Sequence, residues 1–335
     1  MKRAARTVIV CAVGALLLFL ALRGVSLARL RELVTGADAR WVVAALGVYL
    51  SAYVVRAVRW RLILAPVSRV RISESFFMLM AGYFVNYIVP VRAGEIAKAF
   101  FLKRLRGVPV ATSLPTIYVD KLFELLSIVL VLVLVPVLSL RLEGYLATLV
   151  YSVLIVFALA VALLLFALVN GRGTVRALNA ATAWFPSRVR ARLSRWLSLL
   201  VEGMGVARAN ARSLAALLAL TACAVLLDAV YFSFMFRAFA IDIAFPKVVF
   251  GYTLLSVSYI LPTPPAQIGH NEFLMGVIFA DGMGFDRTGV TVLMLLAHAL
   301  TGVLITAVGL WSFWAMSIRV TDSFRSHAGG GETGK

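Results

Sequence analysis

The sequence predicts an all-α polytopic membrane protein, and three observations carry that prediction. Apolar residues make up 62% of the 335 residues, the mean hydropathy is +0.97, and several apolar stretches reach the roughly 20 residues that cross a bilayer as a helix. Backbone polar groups must be satisfied within the segment in lipid, so such stretches form helices rather than loops. We expect one integral membrane domain over residues 1–320 and a disordered tail over 321–335.

The formal net charge of +18 predicts topology rather than a nucleic-acid partner. Lys and Arg occur in short clusters between the apolar stretches, as the positive-inside rule predicts for cytoplasmic loops. Their other expected role is attraction to anionic lipid headgroups. The pattern indicates a multi-pass protein of the cell (inner) membrane, with both termini in the cytoplasm.

Six stretches are predicted to cross the membrane completely. They run over 8–22, 41–64, 114–138, 145–169, 214–239 and 288–316. Cys11 and Cys223 lie inside two of them, where we expect packing roles rather than a disulfide.

A basic loop over 170–212 separates the fourth span from the fifth. It carries eight arginines against one acid, with apolar residues at helical spacing. This pattern is typical of an amphipathic helix on an anionic leaflet. A solvated connector that packs on the protein itself also fits it.

Two further apolar segments are too short to span and are interrupted by proline and glycine. The first runs over 76–102, with a polar break at 86–95 that contains the predicted turn at 90–94. The second runs over 246–285 with its break at 261–272. A short helix, a turn and a returning helix form a re-entrant hairpin. Such a turn is tolerated at membrane depth only where protein or water surrounds it.

The same order of elements occurs twice along the chain. Each half, about 7–140 and 145–318, contains two spans, a broken hairpin and one further span. Because three crossings are an odd number, the second half is predicted to be inverted, with its hairpin entering from the opposite face. Paired broken segments in inverted halves indicate a transporter with a site near the membrane midplane.

The first break contains polar residues that suit a phosphate-bearing headgroup. Arginine offers a planar fork of donors, and the N-terminus of a half-helix offers backbone amides. Glu95 is expected to pair with Arg92 or with Lys98 one turn later. A salt-bridge cluster that holds the hairpin closed explains the same residues, and the two roles are compatible. The candidates are Asn86, Pro90, Arg92, Gly94, Glu95 and Lys98.

A second group of candidates lies on predicted spans. Asp120 and Glu124 are one helical turn apart with Lys121 between them, and we expect the acids to pair with the arginine cluster at 56–61. Such acids form either a gate or proton relay, or a contact between helices. Asp228 stands in the middle of an apolar span, so its carboxylate should face the protein interior.

The second break has its own polar residues. His270 is either a titratable group near neutral pH or a residue that caps and packs the following helix. The candidates in this break are Pro262, Gln267, Gly269, His270 and Glu272.

These motifs resemble a known family. The pattern is Gly82-Tyr83-x2-Asn86-x3-Pro90-x-Arg92-Ala93-Gly94-Glu95, followed later by Gly269 and Glu272. It is similar to the lysylphosphatidylglycerol synthase transmembrane region, a flippase-like membrane family, over about 7–318. The resemblance implies inverted repeats, re-entrant helices and, in some members, movement of a modified or glycosylated lipid between leaflets.

The chain departs from that family at three points. Ala266-Gln267 stands where the family usually has glycines, and Asp120-Lys121-x2-Glu124 stands where it has Glu-Arg-x-x-Asp. The sequence stops about nineteen residues after the last predicted span. We therefore do not expect the soluble aminoacyl-transfer domain of the full-length synthases, or its activity.

The sequence predicts a flippase-like protein that moves an anionic phospholipid, a modified phospholipid or a glycolipid precursor. It is not expected to be an enzyme or to hold a cofactor or metal, because its three histidines are far apart in the sequence and no Gly-x-Ser-x-Gly elbow occurs. Two alternatives remain open. One is an accessory subunit of an envelope lipid or glycan assembly pathway, docking partner proteins through 170–212. The other is a membrane transferase acting on a lipid phosphate.

Overall fold

The computed structural model describes residues 2–23, 25–89, 93–125, 155, 211–259 and 263–317. This part of the chain contains ten α-helices and no β-strand, which confirms the all-α class for these residues. The helices are α1 (Lys2–Leu22), α2 (Leu27–Gly36), α3 (Ala39–Leu64), α4 (Ile72–Ile88), α5 (Ala93–Arg106), α6 (Val110–Leu125), α7 (Ala211–Ala238), α8 (Phe245–Ser258), α9 (His270–Met275) and α10 (Arg287–Ala315).

Three of these helices are long and apolar enough to cross a membrane, namely α3, α7 and α10. Their bounds lie within a few residues of the predicted spans. The end of α1 and all of α2 form a fourth candidate, bent by 82° between the two helices. Four predicted segments lie outside the described residues, wholly or for the most part. They are the span 145–169 except residue 155, the later part of 114–138, nearly all of the basic loop 170–212 and the tail 321–335.

Helix α2 was not predicted. Its ten residues include Arg29, Arg31 and Glu32, so the segment is too polar to stand out as a span. Ser26 caps it by accepting a hydrogen bond from the Arg29 amide at 3.2 Å, as a serine at this position commonly does.

Helices α3 and α7 pack against each other along most of their length. The Asp38 amide donates to the Ala238 carbonyl at 2.9 Å, and the Arg59 guanidinium donates to Thr221 at 3.3 Å. Residue numbers rise along α3 as they fall along α7, so the helices are antiparallel. This pair forms the centre of the described structure.

Helices α4 and α5 form an antiparallel pair on either side of the first break. At one end the Gly94 amide donates to Asn86 Oδ1 at 2.7 Å, and at the other Arg106 bonds Glu74 at 2.6 Å. Glycines allow the close approach: a Cβ atom on Gly94 would overlap the Gly82 carbonyl oxygen. The predicted helix–break–helix order is therefore present.

A second helical pair surrounds the second break. Here Ser258 Oγ lies 2.8 Å from His270 Nε2, and the ring of Phe279 packs directly on Gly251. A single π-helical turn, Gly276–Asp281, continues α9. The bounds of α8 agree with the predicted apolar arm before the break, whereas α9 begins at His270, inside the predicted break.

The expected packing roles of Cys11 and Cys223 are wrong, because both thiols are exposed on the protein surface. Leu226, one turn from Cys223 on α7, is exposed as well. An apolar helix that faces lipid has no need to bury a thiol, and hydropathy alone does not report which face of such a helix turns inward.

We predict that Gly94→Ala lowers stability by about 1–3 kcal/mol, because the added methyl group would meet a backbone carbonyl in a packed contact. The matched control is Gly47→Ala on α3, where nothing lies within 4 Å of the added atom. That control should be neutral or stabilising, since alanine is the better helix former. Thermal unfolding in detergent compares the two, and equal midpoints would contradict the close-packing argument.

Candidate functional site

Helices α3, α4, α7 and α10 and the turn at 263–267 surround a cavity of about 400 Å³. Each long helix contributes residues three or four positions apart, which places them on one face. On α10 these residues are Met294, His298, Thr301 and Ile305. The volume is in the range of small-molecule sites.

Tyrosines form much of the cavity wall. Two of the contacts are the Tyr49–Tyr53 hydroxyl pair at 2.8 Å and the edge-on packing of Tyr53 and Tyr83 with ring centroids 4.9 Å apart. A tyrosine ring is apolar and its hydroxyl is polar, so this wall suits a polar group with an apolar attachment. Seven of the ten tyrosines line the cavity: Tyr49, Tyr53, Tyr83, Tyr87, Tyr231, Tyr252 and Tyr259.

Arg59 joins α3 to α6 inside the protein. Its side chain is only 1% exposed and contacts Asp120 Oδ1 at 2.8 Å and Glu124 Oε1 at 3.2 Å. The predicted pairing of these acids with the cluster at 56–61 is thus confirmed for Arg59. Charges buried to this degree require such partners.

Lys121 connects α6 to α5 beside this pair. Its ammonium group lies 2.7 Å from Glu124 and 3.2 Å from Glu95. Glu95 also contacts Lys98 at 2.5 Å, so the expected pairing one turn apart is present. Lys121 and Glu124 are the most exposed residues of this network, with side chains 24% and 27% exposed.

Asp228 faces the interior, as predicted, and ties three helices together. Both of its carboxylate oxygens accept from the Arg56 guanidinium of α3. The Tyr252 hydroxyl of α8 donates to the same carboxylate at 2.5 Å. A two-pronged contact of this kind suits arginine and not lysine.

Each lysine and arginine at the cavity is paired with an acid within the described residues, and Glu272 contacts His298. The cations Arg56, Arg59, Lys98 and Lys121 are matched by the acids Glu95, Asp120, Glu124 and Asp228. A charged headgroup that entered would therefore exchange partners with residues already paired.

The turn of the second break lies at the cavity and contacts His298 of α10. His298 of α10 contacts Glu272 Oε1 with Nδ1 at 2.5 Å and the Ala266 carbonyl with Nε2 at 2.6 Å. Asn271 donates to Gln267 at 3.2 Å. Its buried Oδ1 has no hydrogen-bond partner among the described residues, and an unsatisfied amide oxygen at a cavity wall is suited to a ligand donor.

The structure brings part of the predicted set together. Asn86, Glu95, Lys121, Glu124, Asp228 and Gln267 line the cavity. Gly94, Lys98, Asp120 and Glu272 contact residues that line it. Gly269 instead packs on Gly14 of α1, and His270 bonds Ser258. Pro90, Arg92 and Pro262 lie outside the described residues.

Several residues of the site were missed by the sequence analysis. Arg56 and Arg59 were predicted only as members of a cytoplasmic cluster that pairs with Asp120 and Glu124. Neither was named as a site residue, yet both line the cavity. His298 was noted only as one of three separated histidines. The available signal was spacing: Tyr49, Tyr53, Arg56 and Arg59 recur every three or four residues, which predicts one polar face on an apolar helix.

Comparison with protein families identifies a family for most of the chain. The model described as Lysylphosphatidylglycerol synthase TM region matches residues 7–309. The comparisons with curated proteins and with solved structures gave no match.

We predict that Arg59→Met destabilises the protein by about 3–5 kcal/mol, because it leaves Asp120 buried without its charge partner. Adding Asp120→Asn should recover part of this loss, since the unpaired charge is then removed. The matched control is Arg40→Met, which breaks an exposed pair with Asp38 and should have little effect. Unfolding in mixed micelles of increasing sodium dodecyl sulfate content measures all four proteins. Similar losses for the two Arg→Met variants would show that burial of the Arg59 pair is unimportant.

Proposed function

Because this chain belongs to the lysylphosphatidylglycerol synthase TM region family, we propose that it moves a phosphate-bearing lipid between the two leaflets without altering it chemically. The observation that carries the proposal is the tyrosine-lined cavity with its paired charges. A headgroup crossing lipid alone would lose its hydration without replacement. In the cavity, fixed polar groups would replace water while the acyl chains remain in the bilayer.

The partly exposed ion pair of Lys121 and Glu124 is the proposed entry point for the headgroup. A lipid phosphate would replace Glu124 as the partner of Lys121, and an arginine fork would add hydrogen bonds. Arg56 lines the cavity, and Arg92 belongs to the adjoining break. The unpartnered Asn271 oxygen would accept from a hydroxyl or amine elsewhere on the headgroup.

The proposed architecture has six crossings in the inner membrane, two inverted halves, two re-entrant hairpins and cytoplasmic termini. Two similarities between the breaks support it. Each incoming helix carries a Gly-Tyr pair whose glycine packs on the returning arm, Gly82 on Lys98 and Gly251 on Phe279. Both breaks also contribute to the cavity, through Asn86 and Gln267. Such a shared site would permit alternating access.

We expect Lys121→Gln to slow lipid movement by roughly 10-fold or more, because a hydrogen bond to a charged group is lost in the occupied state. The assay uses proteoliposomes with fluorescent anionic and zwitterionic phospholipids, each initially in one leaflet. The matched control is Lys103→Gln on the exposed end of α5, which should match wild type.

Mass spectrometry of the recovered lipid separates the proposal from the alternatives. Unchanged lipid that moves with wild type and not with Lys121→Gln supports translocation. A change in lipid mass would instead make the protein a transferase. If folded wild-type protein moves no lipid, the accessory-subunit alternative replaces the proposal.

A further inference from the structure

In the observed arrangement, the His298 ring makes two contacts that each need a hydrogen. Either both ring nitrogens carry a hydrogen, or one hydrogen is shared with an oxygen. Nδ1 faces a carboxylate oxygen of Glu272 at 2.5 Å and Nε2 faces the Ala266 carbonyl oxygen at 2.6 Å. Both oxygens are acceptors, whereas a neutral imidazole carries only one N–H. A further proton must lie between Nδ1 and Oε1, whichever of the two atoms holds it.

In the described surroundings, no lysine or arginine takes the place of this proton in neutralising the Glu272 carboxylate. Within the described part of the chain, Glu272 forms no ion pair with a lysine or arginine. Its second oxygen, Oε2, accepts from the Gly269 amide at 2.8 Å. The proton is therefore the positive charge that the structure supplies to this carboxylate.

Other titratable groups approach the pair from the neighbouring helices. From α4, the Tyr87 ring lies edge-on to His298 with centroids 6.2 Å apart, and from α7 the Tyr231 hydroxyl donates to the Ala297 carbonyl at 3.4 Å. On the other side of Glu272, His270 packs against Tyr259.

The other charged residues on helices that contact α10 either lie near the end of α10 that is distant from His298 or are already paired. Arg29 pairs with Glu32 on α2, and Arg287 pairs with Asp281, the last residue of the π turn. On α1, whose Gly14 touches the turn, the described titratable side chain is that of Cys11, and Arg23 follows the end of the helix. None of these is a hydrogen-bond partner of Glu272 or His298 in the described structure.

The turn that His298 holds is under conformational strain. Ala266 and Gln267 have φ angles of 52° and 61°, in the left-handed region that costs a residue with a side chain about 1 kcal/mol or more. These are the positions at which glycines are expected in the family. The hydrogen bond from His298 to the Ala266 carbonyl acts against release of this strain.

We propose that Glu272 and His298 form a proton-binding latch that holds the tip of the second break against α10. With the proton bound, the ring donates to both oxygens. When the proton leaves to water in the cavity, the remaining hydrogen can serve only one ring nitrogen. The Glu272 carboxylate is the stronger acceptor and keeps that hydrogen on Nδ1. Nε2 then presents a lone pair to the Ala266 carbonyl oxygen, so this contact opens and the strained turn is released.

The latch lies where it would affect transport. His298, Ala266 and Gln267 all line the cavity, although the His298 residue is only 7% exposed. On the proposed function, a proton is then the ligand that couples opening of the second break to headgroup movement. This last step rests on that function, whereas the latch itself does not.

Distances between two spin labels test the latch without any lipid transport. The labels replace Ile268 at the turn and Trp314 on α10, which are 46% and 76% exposed, in a Cys11→Ala/Cys223→Ala background that removes both cysteines. The protein is held in phospholipid nanodiscs between about pH 5 and pH 9, which brackets the usual titration of histidine. We expect the shorter distance at low pH and a longer one as the pH rises, because deprotonation opens the latch.

Three substitutions identify the group responsible. Glu272→Gln should keep the short distance at every pH, because an amide can donate to Nδ1 while it still accepts from Gly269. His298→Gln should also abolish the pH dependence. The matched control His270→Gln should retain the wild-type transition. A pH-independent wild type, or a transition that persists in Glu272→Gln, would overturn the latch.

Assaying the same labelled protein in proteoliposomes separates failure of the latch from failure of the function. A normal latch in a protein that moves no lipid in proteoliposomes would refute the transport proposal alone. Lipid movement with no change in the label distance would refute the latch alone.

Discussion

Two arginines on α3 need buried partners, and this need determines how the helices are arranged around the cavity. Arg59 and Arg56 lie about one turn apart on a helix that is otherwise apolar enough to span a membrane. An unpaired charge in such a setting costs several kcal/mol. Asp120 of α6 and Asp228 of α7 satisfy the two guanidinium groups, so three helices are brought to one place. The cavity lies between these pairs and α10.

Backbone packing and electrostatics depend on each other at the first break. Because Gly82 and Gly94 carry no side chain, α5 approaches α4 closely enough for Asn86 to accept from the Gly94 amide. This contact sets the start of α5 and places Glu95 beside Lys121. A bulkier residue at either glycine would move the carboxylate as well as the helix.

Local patterns predicted the long apolar helices but not the rotation of each helix about its axis. The length of an apolar stretch is a property of one segment, so the bounds of α3, α7 and α10 and both breaks could be predicted. Which face turns inward depends on distant partners: Arg56 meets a residue 172 positions away, and His298 meets Glu272 across 26 positions. For the same reason the interior role of Arg56 and the exposure of Cys223 were missed.

A balanced set of charges has a consequence for any site that must release what it binds. If the cavity held an unpaired cation, a lipid phosphate would be trapped by a strong, uncompensated attraction. Here Lys121 already has Glu124 and Glu95 as partners, so a phosphate replaces one anion by another. The empty and occupied states then differ by the small balance of exchanged contacts rather than by a whole ion pair. In the proposed cycle, this exchange permits entry from one leaflet and departure to the other without a deep energy minimum between them.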